Sequence, residues 1–195
     1  MVTFDIMSVM DHLADIAPER VRPLRRREYE KMVAARLFEG EHVELLEGVI
    51  VEISPQDPLH ASTVQKLTRV IGRAEVGLAD LRVQLPLAVS DESLSEPDVA
   101  LVKLQDFDDE HPTTALLVVE VAEASLRKDR NVKAGLYARA GVPEYWVVDL
   151  IDRLIEVHVD IVGGAYTHVT SVRPGDLIRL RAFPEIVIAV SDIVR

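Results

Sequence analysis

The chain of 195 residues carries a formal net charge of −11, is 48% hydrophobic and contains no cysteine. This length fits one domain with a sizeable core, and the lack of cysteine excludes disulfides, thiolate zinc sites and a cysteine nucleophile. The acidic balance argues against a protein that coats nucleic acid by bulk charge attraction, and it favours hard cations such as Mg²⁺ or Mn²⁺ over soft metals.

The first part of the chain predicts a short amphipathic helix over 4–16 rather than a targeting segment. Its apolar positions follow helical spacing: Phe4, Met7, Met10, Leu13 and Ile16. A basic n-region is lacking, and no apolar run reaches the ~18 residues of a membrane-spanning helix, so we expect a cytoplasmic protein. We divide the chain into a helical extension over 1–22, which offers an apolar face to the domain or to a partner subunit, and one folded domain over 23–195.

The rest of the chain alternates helical and strand patterns. Helices are predicted over 25–38, 58–77 and 126–140. Strands are predicted over 81–89, 98–104, 115–122, 144–150, 178–183 and 186–190, with hairpins turning at Glu47-Gly48 and Gly163-Gly164 and a turn over 91–97. This order predicts an α/β (α+β) domain whose mixed central β-sheet is flanked by helices on both faces.

Two acidic residues interrupt strands that are otherwise apolar. Asp98 opens the strand 98–104, and Glu120 lies near the end of the strand 115–122. A buried carboxylate loses its hydration and two on neighbouring strands repel each other, so a divalent cation between them would compensate both. The alternative is that each acid lies at a strand end and reaches water.

Lys133 lies on the predicted helix 126–140, in one stripe with Asp129 and Tyr137. Apolar positions flank this stripe, so Lys133 would point towards the sheet and pair with the carboxylates there. The alternative is a solvent-exposed ladder formed by the three side chains.

Other polar residues carry a weaker signal when they are taken alone. Glu44 on the first hairpin is typical of a solvated strand residue, and His60 at the start of a helix is typical of a cap. The histidines show no paired zinc-ligand spacing, and no glycine-rich phosphate loop is present. A basic cluster is a candidate for phosphate contact, with a solvated helix start as the alternative: Arg20, Arg22, Arg25, Arg26 and Arg27.

Three segments, in this order, carry a family resemblance: SEPDVALV, LLVVEVAEAS and DRNVKAGLYARAGVPEYWVVD. VELLEGVIVEISP and the helix opening PLHAS extend the match to roughly Arg25 to Ser191. The chain resembles the Uma-two family of bacterial restriction endonucleases, within the PD-(D/E)xK nuclease superfamily. The resemblance implies a restriction-endonuclease-like fold.

The resemblance also implies a role for each matching residue. Asp98 matches the aspartate of the PD motif and would be the central metal ligand, with Glu120 as the second ligand and Glu44 as a further one. The superfamily lysine normally lies two residues after Glu120, where this chain has Ala122. Lys133 looks like its replacement on the following helix.

The function that this resemblance implies is a Mg²⁺-dependent (or Mn²⁺-dependent) endonuclease acting on nucleic acid, with DNA as the expected substrate. Asp98, Glu120 and Lys133 would be the catalytic residues. His60, Asp129 and Tyr137 match family positions and would lie next to the catalytic residues and help to position them. A homodimer is expected, because a duplex has two strands to cut.

Three other classes of function stay open. A nuclease fold that binds nucleic acid or protein without cutting is favoured by Ala122 and by the net charge of −11. A carboxylate-pair hydrolase acting on sugars is disfavoured by an aromatic content of 5%. An assembly protein would use the N-terminal helix as its interface.

Overall fold

The computed structural model describes residues 22–74, Gly77 and residues 79–195. The predicted helix over 4–16 lies outside the described residues, as does the extension 1–22 apart from Arg22. The division into an extension and a domain over 23–195 therefore remains a prediction. Within the described ranges, no helix is long and apolar enough to cross a membrane.

The helices start at local signals that the sequence contains. Helix α1 is Arg26–Ala34, and the Glu28 side chain accepts the N–H of Arg25 at 2.8 Å. Helix α2 is Pro58–Ala74, where proline fits the first turn and Asp57 Oδ1 accepts N–H groups of that turn at 2.7 and 2.9 Å. Helix α3 consists of Leu126–Lys128, a π-helical segment Asp129–Lys133 and Ala134–Arg139, and it ends before Gly141 as predicted.

The strands of the described chain form three sheets. In chain order they are β1 Val43–Leu46, β2 Val49–Glu52, β3 Asp80–Val83, β4 Leu87–Ser90, β5 Ser93–Ser95, β6 Val99–Val102, β7 Leu117–Ala122, β8 Glu144–Asp149, β9 Leu154–Val162, β10 Ala165–Val172, β11 Leu177–Arg179 and β12 Val187–Ala189. The sheet orders are β10-β9-β8-β7-β6-β3, β2-β1-β5-β4 and β11-β12. Strands β7 and β8 are parallel and their other neighbours are antiparallel, so the predicted mixed central sheet is confirmed.

Both faces of the central sheet are covered, which confirms the predicted layering. One face packs against α2 and the C-terminal strands, with Leu67, Trp146 and Ile188 fully or almost fully buried. The other face packs against α3, with Tyr137 and Tyr145 fully buried. A continuous apolar pattern in β6, β7 and β8 follows from burial on both sides.

The first hairpin follows its turn chemistry. Glu47 and Gly48 both have positive φ, 50° and 79°, which matches the twist of a two-residue hairpin turn. Gly48 is also needed for space, because a Cβ there would lie 2.2 Å from Pro23 Cβ. The predicted turn at Glu47-Gly48 is therefore confirmed, and Glu44 is held on β1 beside β5.

Three predicted elements are wrong in detail. The strand 81–89 divides into β3 and β4, which belong to different sheets, because Gln84 has a φ of 52° and Pro86 cannot donate a ladder hydrogen bond. The predicted turn 91–97 contains β5, which pairs with β1 through Leu94. The last two strands form their own sheet instead of extending the central one, since their isoleucines pack onto the α2 side of the core.

Candidate functional site

Two acidic side chains meet where β6 and β7 run side by side. Asp98 directly precedes β6, and the antiparallel pairing of Val99 with Val119 brings it opposite Glu120 on β7. Asp98 is 8% exposed and Glu120 is 4% exposed. The alternative in which both carboxylates are solvated at strand ends is therefore wrong.

Asp98 is held by contacts from three different elements. Its Oδ2 accepts the backbone N–H of Val121 at 2.8 Å and lies 3.2 Å from Nε2 of His60, the residue near the start of α2. Its Oδ1 has a long contact of 3.5 Å with Gln84 Nε2. Burial lowers the pKa of His60, but the hydrogen bond and the charge of Asp98 outweigh burial and raise it overall. His60 thus contacts the predicted central ligand directly.

Lys133 enters this site from α3. Its Nζ donates to Glu120 Oε1 at 2.9 Å and lies 3.2 Å from Glu44 Oε2. Tyr137, one turn later, donates its hydroxyl to the same Glu120 oxygen at 2.7 Å. The stripe of Asp129, Lys133 and Tyr137 is 1%, 3% and 0% exposed, so the solvent-exposed ladder is wrong.

Asp129 completes the buried stripe without touching Lys133 directly. Its Oδ2 accepts the hydroxyl of Ser125 at 2.6 Å. Burial raises the pKa of Asp129, although the positive charge of Lys133 opposes this. The three residues that match family positions, His60, Asp129 and Tyr137, therefore all lie beside Asp98, Glu120 or Lys133.

Sequence reasoning missed Lys128, whose Nζ lies 3.1 Å from Glu44 Oε1. In a regular α-helix, positions five apart differ by about 140° around the axis, so Lys128 and Lys133 would face different ways. The π-helical segment Asp129–Lys133 widens the turn, and both amines reach Glu44. The sequence contains no recognisable signature of a π-helical turn. The contact between Lys128 and Glu44 therefore could not be predicted from it.

The charges of the cluster are unbalanced in favour of acid. Burial raises the pKa of Glu120 to about 8, with further increases from Asp129, Asp98 and Glu44 and an opposing decrease from Lys133. Burial would also raise the pKa of Glu44, but Lys133 and Lys128 outweigh it and lower the value overall. Burial and the neighbouring acids therefore favour the protonated form of Glu120 in the absence of a further cation.

These side chains line one pocket of about 410 Å³. Eight of its lining residues are acidic and two are lysines: Glu44, Glu52, Asp57, Glu96, Asp98, Glu120, Glu123 and Asp129, with Lys128 and Lys133. Such an excess of carboxylate around a partly buried space attracts cations. The pocket also explains how Asp98 and Glu120 can be buried and still reach a ligand.

The donor set fits a hard divalent cation held by two carboxylates. In the described part of the chain, no three His, Asp or Glu side chains are close enough together to hold an ion. Mg²⁺, however, is usually bound through one or two carboxylates, with water and phosphate oxygens completing its octahedron. The short contacts that the described residues make to Glu120 fall on Oε1, and Asp98 Oδ1 has only the long contact with Gln84, so both carboxylates retain free lone pairs.

Three arginines of the basic cluster around the start of α1 form ion pairs. The described pairs are Arg22 with Glu28, Arg25 with Glu92 and Arg26 with Glu30, at 2.8, 2.7 and 2.7 Å. Arg20 lies outside the described residues. These arginines already have acidic partners on the protein. The structure therefore favours the alternative of a solvated helix start over a phosphate-binding surface.

Comparisons with known proteins agree with this fold. The profile of the Uma2 (Uma-two) family, described as "Putative restriction endonuclease", matches residues 26–191. A crystal structure from Anabaena variabilis, described as a "putative nuclease belonging to DUF820", superposes with a TM-score of 0.70 at 14% identity, covering 88% of this chain and 97% of that one. The curated proteins contain no match. The matched range includes every residue of the site just described, and the chain belongs to the Uma2 family.

Proposed function

We propose that the protein is a Mg²⁺- or Mn²⁺-dependent endonuclease that hydrolyses phosphodiester bonds in nucleic acid, with DNA as the first candidate substrate. The observation that carries this proposal is the buried group of Asp98, Glu120 and Lys133 at an acid-lined pocket, in a chain of the Uma2 family. The fold of the Anabaena variabilis protein supports the assignment at the level of fold alone.

Asp98 and Glu120 would hold the ion, since they keep free lone pairs on neighbouring strands. A bound divalent cation supplies Lewis-acid polarisation of the phosphate and lowers the pKa of water. Asp98 is oriented for this task by the Val121 N–H and by His60. Glu120 is oriented by the Tyr137 hydroxyl and by Lys133.

Lys133 would stabilise negative charge on the phosphate rather than remove a proton from water. Burial lowers its pKa, but the charges of Glu120, Glu44 and Asp129 outweigh burial and raise it above the ordinary value. A permanently charged ammonium is a hydrogen-bond donor and cannot act as a base at neutral pH. Lys133 on α3 would take the role of the lysine that the superfamily has at the position of Ala122. Ala122 itself is fully buried and offers no polar group.

The proposal is tested by titrating Mn²⁺ into wild type and Asp98→Ala in a calorimeter and by measuring plasmid nicking on the same samples. We expect both binding and nicking to be lost in Asp98→Ala, with unchanged circular dichroism. Asp109→Ala is the matched control, because Asp109 is an exposed acid outside the pocket. Full nicking by Asp98→Ala would overturn the proposal, and a single-stranded RNA substrate assayed in parallel distinguishes the two nucleic acids.

A second candidate is a nuclease fold that binds a partner without cutting, which the missing strand lysine at Ala122 favours. Such a module needs no acid-dependent metal site. Mn²⁺ binding by wild type that is weakened in Glu120→Gln therefore favours the enzyme, whereas equal or absent binding in both favours the module.

We also propose a homodimer that uses the apolar positions of residues 4–16. Light scattering after size exclusion would detect it. Deleting residues 1–18 should convert the dimer to a monomer, and an unchanged mass would place the interface elsewhere.

A further inference from the structure

We propose that Glu44 is a positioning residue that holds two lysines and is not a metal ligand, and that one of these lysines, Lys128, contacts a phosphate of the nucleic acid substrate. This inference rests on the proposed nuclease function and assigns a phosphate-binding position at the mouth of the same pocket. It replaces the expectation from the family resemblance that Glu44 binds the ion.

Both oxygens of Glu44 already have partners, and two of these partners are ammonium groups. Its Oε1 accepts from Lys128 at 3.1 Å, and its Oε2 lies 3.2 Å from both Lys133 Nζ and the backbone N of Glu96. The residue is 2% exposed, so water cannot replace a lost partner. A divalent cation bound to Glu44 would lie beside two ammonium groups, and both would repel it.

The two lysines, in turn, depend on Glu44. Two ammonium groups on the same carboxylate would repel each other if its charge were removed. Lys133 would keep Glu120 as a partner, at 2.9 Å. Lys128 has no second carboxylate partner among the described residues, so Glu44 fixes where its amine lies.

Lys128 differs from Lys133 in its access to ligands. Its side chain is 30% exposed, compared with 4% for Lys133, and both line the pocket. The phosphate backbone of a nucleic acid would be repelled by the eight acidic residues of this pocket, so its binding requires positively charged side chains nearby. Lys128 offers the more exposed ammonium group, whereas Lys133 lies deeper in the same pocket, between Glu120 and Glu44.

The role of Glu44 is tested by Mn²⁺ calorimetry on Glu44→Gln, with Asp98→Asn as the matched variant that also removes one carboxylate charge. We expect Glu44→Gln to bind Mn²⁺ with less than tenfold weaker affinity, whereas Asp98→Asn should lose at least a hundredfold. Equal losses in the two variants would overturn the positioning role. Glu44→Asp, which keeps the charge but is one methylene shorter, provides the same comparison if Glu44→Gln does not fold.

The role of Lys128 is tested by plasmid nicking at several salt concentrations. One lost phosphate contact should reduce the slope of log(kcat/KM) against log salt by about one. We expect Lys128→Ala to show this reduction and a roughly tenfold higher KM, with kcat within about threefold, and Lys128→Arg to restore the slope. Arg127→Ala is the control, because Arg127 is an exposed neighbour outside the pocket.

The outcomes separate this inference from the proposed function. If wild type nicks and Asp98→Asn does not, the nuclease proposal stands whatever Lys128→Ala does. An unchanged salt slope in Lys128→Ala, or an equal change in Arg127→Ala, would then overturn the phosphate contact alone. A wild type that binds no Mn²⁺ and nicks nothing would overturn both.

Discussion

Helix α3 contributes to two ion clusters, one partly buried and away from the pocket (the closed cluster) and one buried and open to the pocket (the open cluster). In the closed cluster, Arg130 contacts Glu156 through Nε at 2.9 Å and through Nη2 at 2.8 Å, and it reaches Asp149 at 3.0 Å. The other oxygen of Asp149 accepts two backbone N–H groups of the following turn, at 3.0 and 2.9 Å. Every charge in this cluster has a partner, so it stabilises the junction of α3, β8 and β9.

Both clusters contain more acids than cations, but only the acids of the open cluster line the pocket described above. Lys133 is shared between Glu120 and Glu44, and burial raises the pKa of Glu120 to about 8. The two clusters lie three residues apart on the same π-helical segment. The comparison teaches that burial of charge alone does not identify a functional site, whereas an excess of one charge beside a pocket does.

The largest expected effect comes from Lys133→Met, which keeps the length of the side chain and removes its charge. We expect kcat to fall by about 10² to 10³, the range for loss of one charge-stabilising donor. Steady-state nicking by the folded protein measures this. If the variant keeps the wild-type kcat, Lys133 contributes to folding stability, as Arg130 does. The open cluster would then be structural like the closed one.

Arg130→Met should have the opposite profile. It leaves Asp149, which is fully buried, without its cation, and breaking such a pair costs on the order of 3 kcal/mol of unfolding free energy. Urea denaturation measures the loss, and kcat should stay within about threefold at a temperature where the variant is folded. A large loss of kcat with unchanged stability would mean that Arg130 acts on the site through the π-helical segment.

Local sequence signals made Asp98, Glu120 and Lys133 candidates beside solvated alternatives, and the family resemblance selected the interpretation in which they form one site. Asp98 and Glu120 interrupt apolar strands, and Lys133 shares a helical stripe with apolar flanks. The partners of Glu44 could not be predicted in the same way. Lys128 is 84 positions away along the chain, and it reaches Glu44 only through the π-helical segment.

The sheet topology shows the same limit. Residues 81–89 look like one strand because apolar residues continue through them, but the positive φ of Gln84 and the proline at 86 send its halves into two sheets. This break has a consequence for the site, because Gln84 N bonds the Asp98 backbone oxygen at 3.2 Å. Long-range strand pairing, and not strand propensity, determines which sheet each half of this segment joins.

The pKa of Glu120 predicts a pH dependence for the stability of the metal-free protein. Its ordinary value is 4.5 and its folded value is about 8, so the folded state binds the proton more tightly between these values. The stability that this group contributes is therefore present below about pH 4.5 and is lost as the pH rises through about 8. The slope is at most about 1.4 kcal/mol per pH unit.

Urea denaturation in the presence of EDTA, from about pH 5.5 to about pH 8.5, tests this prediction. The stability of wild type relative to Glu120→Gln should fall with rising pH, because the amide cannot titrate. The histidines are present in both proteins, so their effects cancel in the difference. Parallel stability curves would mean that Glu120 is ionised throughout and that Lys133 balances it, as Arg130 balances Asp149.

The smallest expected effect is that of Tyr137→Phe, which removes one donor from Glu120 Oε1 at 2.7 Å. Lys133 continues to donate to the same oxygen, so we expect a loss of about 1 kcal/mol in unfolding free energy and a change in kcat of less than tenfold. Tyr166→Phe is the control, because its hydroxyl donates to the Val142 carbonyl at 2.8 Å instead of to an acid of the site. It should cost a similar amount of stability and leave kcat unchanged.

The pair of tyrosine variants separates a shared network from single contacts. If Tyr137→Phe costs several kcal/mol, as expected for Arg130→Met, the hydroxyl, Lys133 and Glu120 act as one cooperative unit whose main contribution is to folding. If the cost stays near that of Tyr166→Phe while kcat falls only in Tyr137→Phe, the hydroxyl orients a carboxylate that remains free to change its charge. If Glu120 gives up a proton when a cation binds, its carboxylate must remain free to change its charge. The result in which only kcat falls is then the expected one, because a carboxylate fixed by a rigid network could not bind a proton and a cation in turn.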